Sequence, residues 1–290
     1  MTPDTIRNPV RIITLTVLAM AAFSANSILC RFALGGALID AASFTSIRIC
    51  SGALFLGAVI LLKKQSVRDL ANQKNWFMPI MLTVYAWFFS YAYIRLGAGT
   101  GALILFGAVQ ATMILSGWLS GEKMNVMQFI GFLMAVSGLV YLVFPGLSAP
   151  SPLGAFLMSI AGMAWGVYSL LGKKASDPVS ATAFNFIISI PLVLIFRLFA
   201  STPVFVTLKG AAIAALSGIF ASGAGYVIWY AALKGLSSTR AAIVQLTVPV
   251  ITALCGIVFL SEIASSRFLI ASFLILSGVG LAFSKKIIRI

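Results

Sequence analysis

Polar amides interrupt several of the long apolar runs of this chain, and they are the first groups that could do chemistry there. Gln110 and Gln245 lie near the middle of two runs, and Asn26 lies in a third. An amide both donates and accepts hydrogen bonds, so it can hold a carboxylate or an ammonium group without carrying a charge. Such side chains suit the binding of a small polar molecule better than bond breaking.

Aromatic residues lie at similar depth in other apolar runs. Their faces attract ammonium groups and stack on other rings. With the amides they predict a site that carries no formal charge, and the predicted substrate-binding residues are Asn26, Tyr85, Gln110, Trp165, Tyr168, Tyr226 and Gln245. The alternative interpretation of each is ordinary packing or hydrogen bonding between neighbouring helices.

The residue types needed for catalysis are missing from the apolar runs. The chain has no histidine, its three cysteines lack the spacing of metal ligands, and no Asp or Glu lies within a run. We therefore expect no catalytic residues, metal or cofactor, and no enzymatic activity. A cation site or proton relay would need an acid at depth, whereas Glu122 and Glu262 lie at the ends of runs and are interpreted as loop charges.

Two other residues inside the runs predict gating or structural roles. Arg48 is the one base well inside a run, and leaving it unpaired would cost a few kcal/mol or more. We expect it to bond backbone carbonyls, to extend outward to the membrane surface or to face an outer vestibule. Pro249 lies in the middle of its run, one turn after Gln245, where it can kink a helix.

The composition identifies the elements that must position these residues. Hydrophobic residues make up 61% of the 290 residues and charged residues 9%, against roughly 45–50% and roughly 25% in soluble domains. A bilayer core needs roughly 20 residues of helix. The sequence thus predicts an all-α polytopic membrane protein with ten transmembrane helices, at 12–32, 41–62, 77–94, 99–119, 126–144, 153–172, 179–199, 211–233, 239–260 and 267–284.

The distribution of basic residues predicts how these spans are oriented. Ten spans place both termini on one side, where fourteen Lys and Arg residues fall, against five on the other side. Cytoplasmic loops collect Lys and Arg, so both termini are predicted to lie in the cytoplasm, with the protein in the cell membrane. The same bias explains the net charge of +14 without a nucleic-acid partner.

The two halves of the chain resemble each other. Ser137-Gly138 and Ser277-Gly278, like Glu122 and Glu262, are separated by 140 positions. The predicted domains are residues 1–147 and 148–290, each with five helices. Because five is odd, the second half must enter the membrane from the opposite side, and such inverted repeats serve alternating access to a central site.

Local motifs resemble the EamA-type exporters of the drug/metabolite transporter superfamily. The segment Phe44-x3-Arg48 resembles the family's second-helix motif, Leu119-x2-Glu122 and Leu260-Ser261-Glu262 resemble its Leu-x-Glu helix endings, and Leu153-Gly154 resembles the start of its second repeat. One branch of this family is similar to the aromatic amino-acid exporters. The resemblance implies a central cavity lined by helices 1, 3, 4, 6, 8 and 9, with helices 5 and 10 peripheral.

Together these features predict an exporter of the bacterial inner membrane for small neutral or zwitterionic metabolites. Amino acids are the favoured substrates, aromatic or hydrophobic ones among them. The expected partners are that small molecule and the lipid bilayer, with a monomer favoured. The alternative is a multidrug or quaternary-ammonium exporter with proton antiport. Aromatic residues near span ends are predicted to lie at the membrane interface: Trp76, Tyr91, Tyr93, Trp118, Tyr141, Trp229 and Tyr230.

Overall fold

Ten helical segments make up the part of the chain that the structure, a computed structural model, describes. That part comprises residues 9–64, 75–119, 126–144, 149–200, 203–236, 241, 244–263 and 265–287. The segments are α1 (Pro9–Gly35), α2 (Ala41–Leu62), α3 (Phe77–Tyr93), α4 (Ala98–Leu119), α5 (Val126–Val143), α6 (Pro152–Gly172), α7 (Pro178–Leu198), α8 (Leu208–Leu233), α9 (Thr247–Leu260) and α10 (Ser266–Ile287).

The helices begin where the sequence supplies caps. Asp40 precedes α2 and accepts a hydrogen bond from the backbone N–H of Ser43, and Asp177 precedes α7 and accepts one from Ser180. A side-chain oxygen at this position satisfies one of the N–H groups that a helix start leaves open. The matching Asp-x-x-Ser starts of α2 and α7 are a local sign that the two halves are related.

Six helices are long and apolar enough to cross a membrane: Pro9–Gly35, Ala41–Leu62, Ala98–Gly117, Pro152–Gly172, Pro178–Leu198 and Leu208–Leu233. Shorter apolar helices cover Phe77–Tyr93, Phe129–Leu142, Thr247–Leu260 and Ser266–Gly278. These counts refer to the described residues. They confirm an all-helical chain with several apolar spans, while the crossing of the membrane by all ten helices stays a prediction.

The helices pack in a pattern that relates the two halves. Helix α1 packs against α8 and α9, and α6 packs in the same way against α3 and α4. Helix α2 packs against both α7 and α8, and α7 also packs against α3. Helix α4 packs against α9 and α5 against α10. Exchanging the first five helices with the second five leaves these pairs unchanged.

Helix α8 contains a π-helical stretch from Ser217 to Ala224 between two α-helical parts. This stretch lies directly against α2. A Cβ atom added at Gly218 would overlap the carbonyl oxygen of Arg48, and one added at Gly52 would lie 2.9 Å from the carbonyl oxygen of Gly218. Only glycine allows the backbones to approach this closely.

A turn at Leu246 interrupts the ninth predicted span, and α9 begins at Thr247. Residues 241, 244 and 245 before the turn are also helical, and Leu246 keeps a right-handed helical backbone. Pro249 therefore lies within the predicted span, one turn after Gln245, next to an interruption of the kind that a proline causes. The physical reason is that a proline ring clashes with the carbonyl group four residues earlier, which here belongs to Gln245.

One end of the bundle is tied together by its connections. We call it the α1–α2 end. Ile39 and Val206 form an antiparallel bridge between the α1–α2 and α7–α8 connections. The carboxylate of Asp40 accepts hydrogen bonds from the backbone N–H groups of Ser43 and Phe205 and lies 3.8 Å from Arg197 of α7.

These contacts set the ionisation of Asp40. Burial alone would raise the pKa of its carboxyl group, but the hydrogen bonds from Ser43 and Phe205 and the charge of Arg197 outweigh burial and lower it below the usual value. Since the folded-state pKa is lowered, the ionised carboxylate stabilises the fold above the unfolded-state pKa of about 3.9. That contribution is lost as the pH falls through the lower, folded-state value.

Gly52→Ala should destabilise the protein by about 1–3 kcal/mol, because the added methyl group overlaps Phe186. Gly57→Ala in the same helix is the matched control, since a Cβ there has nothing within 4 Å, and it should be neutral or stabilising by up to about 1 kcal/mol. The midpoint of thermal unfolding in detergent measures both. Equal effects would contradict this packing of α2.

Asp40→Asn should lower the free energy of unfolding by up to about 1 kcal/mol near neutral pH. It should also reduce the loss of stability that the wild-type protein shows on acidification. The difference from wild type should be constant above about pH 5 and shrink below about pH 4, where the wild-type carboxylate becomes protonated. Unfolding midpoints measured between pH 3 and 7 test this. A difference that grows on acidification would contradict it.

Candidate functional site

Five aromatic residues form a compact group in the centre of the bundle. We call Phe23, Tyr85, Trp165, Tyr168 and Tyr226 the aromatic cluster, and all five are buried. Trp165 lies in the middle of it, with ring centroids 5.2 Å from Phe23, 5.0 Å from Tyr85, 5.5 Å from Tyr168 and 4.7 Å from Tyr226. Both halves of the chain supply rings, through α1 and α3 on one side and α6 and α8 on the other. Four of the seven predicted site residues are thereby brought together.

Asn26 joins the first half of the chain to α8. Its Nδ2 donates to the hydroxyl of Tyr85 at 3.0 Å, and its Oδ1 accepts from the hydroxyls of Ser217 at 2.7 Å and Ser222 at 3.5 Å. In an α-helix, residues five apart would point about 140° apart. The π-helical stretch brings Ser217 and Ser222 to the same amide, and π-helical turns are frequent at functional sites.

Gln245 forms a hydrogen bond with the indole ring of Trp165. Its Oε1 accepts from Nε1 of Trp165 at 3.2 Å, and its Nε2 donates to the carbonyl of Ala241 at 3.2 Å. The same Nε2 lies 4.0 Å from the sulfur of Met113 on α4. Gln110 is buried about one turn before Met113 on α4, and Gln245 lies two residues before the first residue of α9.

Tyr168 is fixed by residues of two further helices. Asn185 of α7 donates to its hydroxyl at 3.2 Å, and Tyr230 donates to its backbone carbonyl at 3.3 Å. Phe186, the neighbour of Asn185, lies 5.8 Å from Tyr226, centroid to centroid. Helix α7 thus contributes to the centre, although the family resemblance implies a cavity lined by other helices.

Arg48 is placed differently from each of the three sequence expectations. Its side chain is 0% exposed, and it neither extends to the membrane surface nor relies on backbone carbonyls. Nε donates to the hydroxyl of Ser222 at 2.9 Å and Nη2 to that of Tyr226 at 2.8 Å. Its Cζ lies 5.2 Å from the ring centroids of both Tyr85 and Phe89.

A formal charge consequently lies beside the aromatic cluster, where the sequence predicted a neutral site. The reason is that the side chain of Arg48 points into the bundle, where hydrogen bonds to two hydroxyl groups and attraction to two ring faces stabilise it. These partners come from α3 and α8, and their proximity to Arg48 depends on tertiary packing.

Glu262 closes the α1–α2 end of the bundle. Its carboxylate accepts from the backbone N–H of Ala98 at 2.8 Å and lies 3.4 Å from Nε of Arg31. Arg31 also donates from Nη1 to the carbonyl of Tyr93 at 3.0 Å. A carboxylate at a helix N-terminus is favoured by the helix dipole, so Glu262 links α9 to α1 and α4. Glu122 lies outside the described residues.

The prediction of interfacial aromatic residues is wrong for Tyr93, Trp229 and Tyr230, which are at most 1% exposed. Position near a helix end does not distinguish a residue that faces lipid from one that faces a neighbouring helix. Trp76 and Tyr141 are exposed, Tyr91 is partly buried, and the side chain of Trp118 lies outside the described part.

Sequence reasoning missed Phe23, Phe89, Ser217 and Ser222. Phenylalanine and serine are common in membrane helices, so type alone did not separate them from packing residues. The one usable signal in the sequence is the run of small residues at 221–225, since small residues favour a close approach between membrane helices; it does not identify α2 as the neighbour.

Comparison with known proteins gives consistent relatives. The EamA-like transporter family matches the chain twice, over residues 10–144 and 152–284. An uncharacterised protein of Pseudomonas aeruginosa is 44% identical over 96% of each chain. An uncharacterised transporter of Archaeoglobus fulgidus is 28% identical over 68% of this chain and 71% of its own length, and one of Bacillus subtilis is 22% identical over 81% and 85%.

The fold also matches a solved structure. One crystal structure of another protein superposes with a TM-score of 0.68 at 18% sequence identity, covering 94% of this chain and 98% of that chain. At this identity the match establishes the fold alone. The family model, in turn, matches each half of the chain once.

A double-mutant cycle tests the hydrogen bond between Asn26 and Tyr85. Asn26→Ala and Tyr85→Phe should show a coupling free energy of about 0.5–1.5 kcal/mol, the range of hydrogen bonds between membrane helices. The control pair, Asn26→Ala with Tyr168→Phe, should be additive within about 0.5 kcal/mol, because the hydroxyl of Tyr168 accepts from Asn185. Reversible unfolding in mixed micelles measures both cycles, and equal couplings would contradict the assigned network.

Proposed function

This chain belongs to the EamA-like transporter family, and we propose that it exports small neutral or zwitterionic metabolites across the bacterial cytoplasmic membrane. Amino acids, aromatic or hydrophobic ones first, are the proposed substrates. The observation that carries this proposal is the aromatic cluster with its amides Asn26 and Gln245, buried where the two halves meet.

The residue types of the cluster match the chemistry of an amino acid. Ring faces attract the ammonium group and stack on an apolar or aromatic side chain. Amides and hydroxyls supply donors and acceptors. The described residues bring no three His, Cys, Asp or Glu side chains together as a metal site, and the family is one of transporters, so transport is favoured over an intramembrane reaction.

We propose that transport proceeds by alternating access between two halves of opposite orientation. The exchangeable packing pattern of the helices and the repeated family match support a repeat, and two related halves can exchange conformations around a central site. The excess of basic residues on one side supports cytoplasmic termini.

Labelling cysteines introduced at Thr207 and Lys234 from outside intact cells tests this orientation, with only the cysteine at position 207 expected to react.

Transport without proton coupling is the proposed driving mode. The chain contains no histidine, and the described acids Asp40, Asp177 and Glu262 lie at helix ends. Such a protein would let an accumulated metabolite leave the cell down its own gradient.

The buried guanidinium of Arg48 beside the cluster disfavours the alternative, a carrier of quaternary ammonium ions, because like charges repel in a low-dielectric interior.

Counterflow of a panel of labelled amino acids into proteoliposomes tests the proposal. Wild-type protein should exchange at least one neutral amino acid saturably. Trp165→Phe should lower the rate about tenfold, since it removes the indole N–H that binds Gln245. Trp76→Phe, at a residue that is 61% exposed, is the matched control and should stay within about twofold of wild type.

The same vesicles test the driving mode. The rate should be unchanged when a pH gradient is imposed or collapsed. A strict requirement for the gradient would overturn uncoupled transport, and the absence of counterflow for every amino acid in the panel would overturn the proposed substrate class.

A further inference from the structure

The guanidinium of Arg48 is a buried cation that has not used all its donors. Nε and Nη2 donate to Ser222 and Tyr226, whereas Nη1 is buried and has no hydrogen-bond partner among the described residues. An unpartnered buried donor loses its hydration without compensation, which is costly and more so for a charged group. Most buried donors in proteins are satisfied, so this one calls for a partner that the described residues do not supply.

The described carboxylates are all engaged elsewhere. Asp40 lies against Arg197, Glu262 lies against Arg31, and Asp177 caps α7. The remaining acids of the sequence, Asp4, Asp69 and Glu122, fall outside every predicted span and outside the described residues. Thus, among the carboxylates that the structure describes, none neutralises Arg48.

The side chains that hold Arg48 are uncharged. The hydroxyls of Ser222 and Tyr226 and the faces of Tyr85 and Phe89 lower the free energy of the cation but leave its charge in place. They also fix the plane of the guanidinium by holding Nε and Nη2. A guanidinium held in this way presents its remaining N–H groups in a set direction, which suits a carboxylate oxygen.

We infer that Nη1 of Arg48 binds the carboxylate of the transported molecule, and that the protein therefore selects metabolites bearing a carboxylate. This inference rests on the proposed function and narrows it, since uncharged metabolites and amines without a carboxylate are excluded. The ring of Tyr85 lies next to both Arg48 and Trp165, at 5.2 Å and 5.0 Å. The carboxylate subsite is thus adjacent to the aromatic cluster, which takes the rest of the molecule.

The test compares molecules that differ in the carboxylate alone. L-Phenylalanine and 3-phenylpropanoate carry it, and L-phenylalaninamide and 3-phenylpropanamide do not. With wild-type protein in proteoliposomes, both acids should inhibit counterflow of labelled phenylalanine at least about tenfold more tightly than their amides, as expected for a hydrogen bond to a charged group. Equal inhibition by acids and amides would overturn the inference while leaving amino-acid transport intact.

Variants of Arg48 provide a second test of carboxylate binding. Arg48→Gln should weaken inhibition by both acids about tenfold or more and leave the amides nearly unchanged, whereas Arg48→Lys, which keeps the charge but not the fixed fork, should fall between the two. Unchanged preference for acids in Arg48→Gln would overturn the assignment. If that variant does not insert, the wild-type comparison of acids and amides decides alone. The absence of any phenylalanine counterflow in wild type would overturn the proposed substrate, and with it this inference.

Discussion

Polar groups inside an apolar bundle must find their partners within the protein, because lipid offers none. The centre of this chain satisfies that constraint largely by pairing side chains across helices. Asn26 bonds residues of α3 and α8, Gln245 bonds α6, and Asn185 of α7 bonds Tyr168. Each bond joins two different helices, so the same groups that form the candidate site also fix how the helices meet.

The close approach of α2 and α8 is what brings Arg48 into this network. Gly52 and Gly218 let the two backbones come together, and the π-helical stretch then presents Ser222 toward α2. A larger side chain at either glycine would move the guanidinium away from its hydroxyl partners. Backbone packing and the electrostatics of the site are therefore set by the same few residues.

The sequence allowed the helices to be placed better than the contacts between them. Apolar length predicted the helical segments, and Pro249 indicated where the ninth could bend. Residue type identified Trp165, Tyr226 and Asn26 as site candidates. It could not show that Arg48 turns inward, that Tyr93 and Trp229 face neighbouring helices, or that Ser217 and Ser222 share one amide, because these depend on helix rotation and on the π-helical stretch.

The widened turns of α8 have a mechanical consequence. A π-helical stretch and an α-helix of equal residue number end at different angles about the axis, so the orientation of Gly225–Leu233 relative to Leu208–Leu216 depends on the bonding register of Ser217–Ala224. Tightening those turns would swivel Tyr226, Trp229 and Tyr230 around the axis as one body. The direction in which these three rings point is therefore set by the hydrogen-bonding register of a single eight-residue stretch.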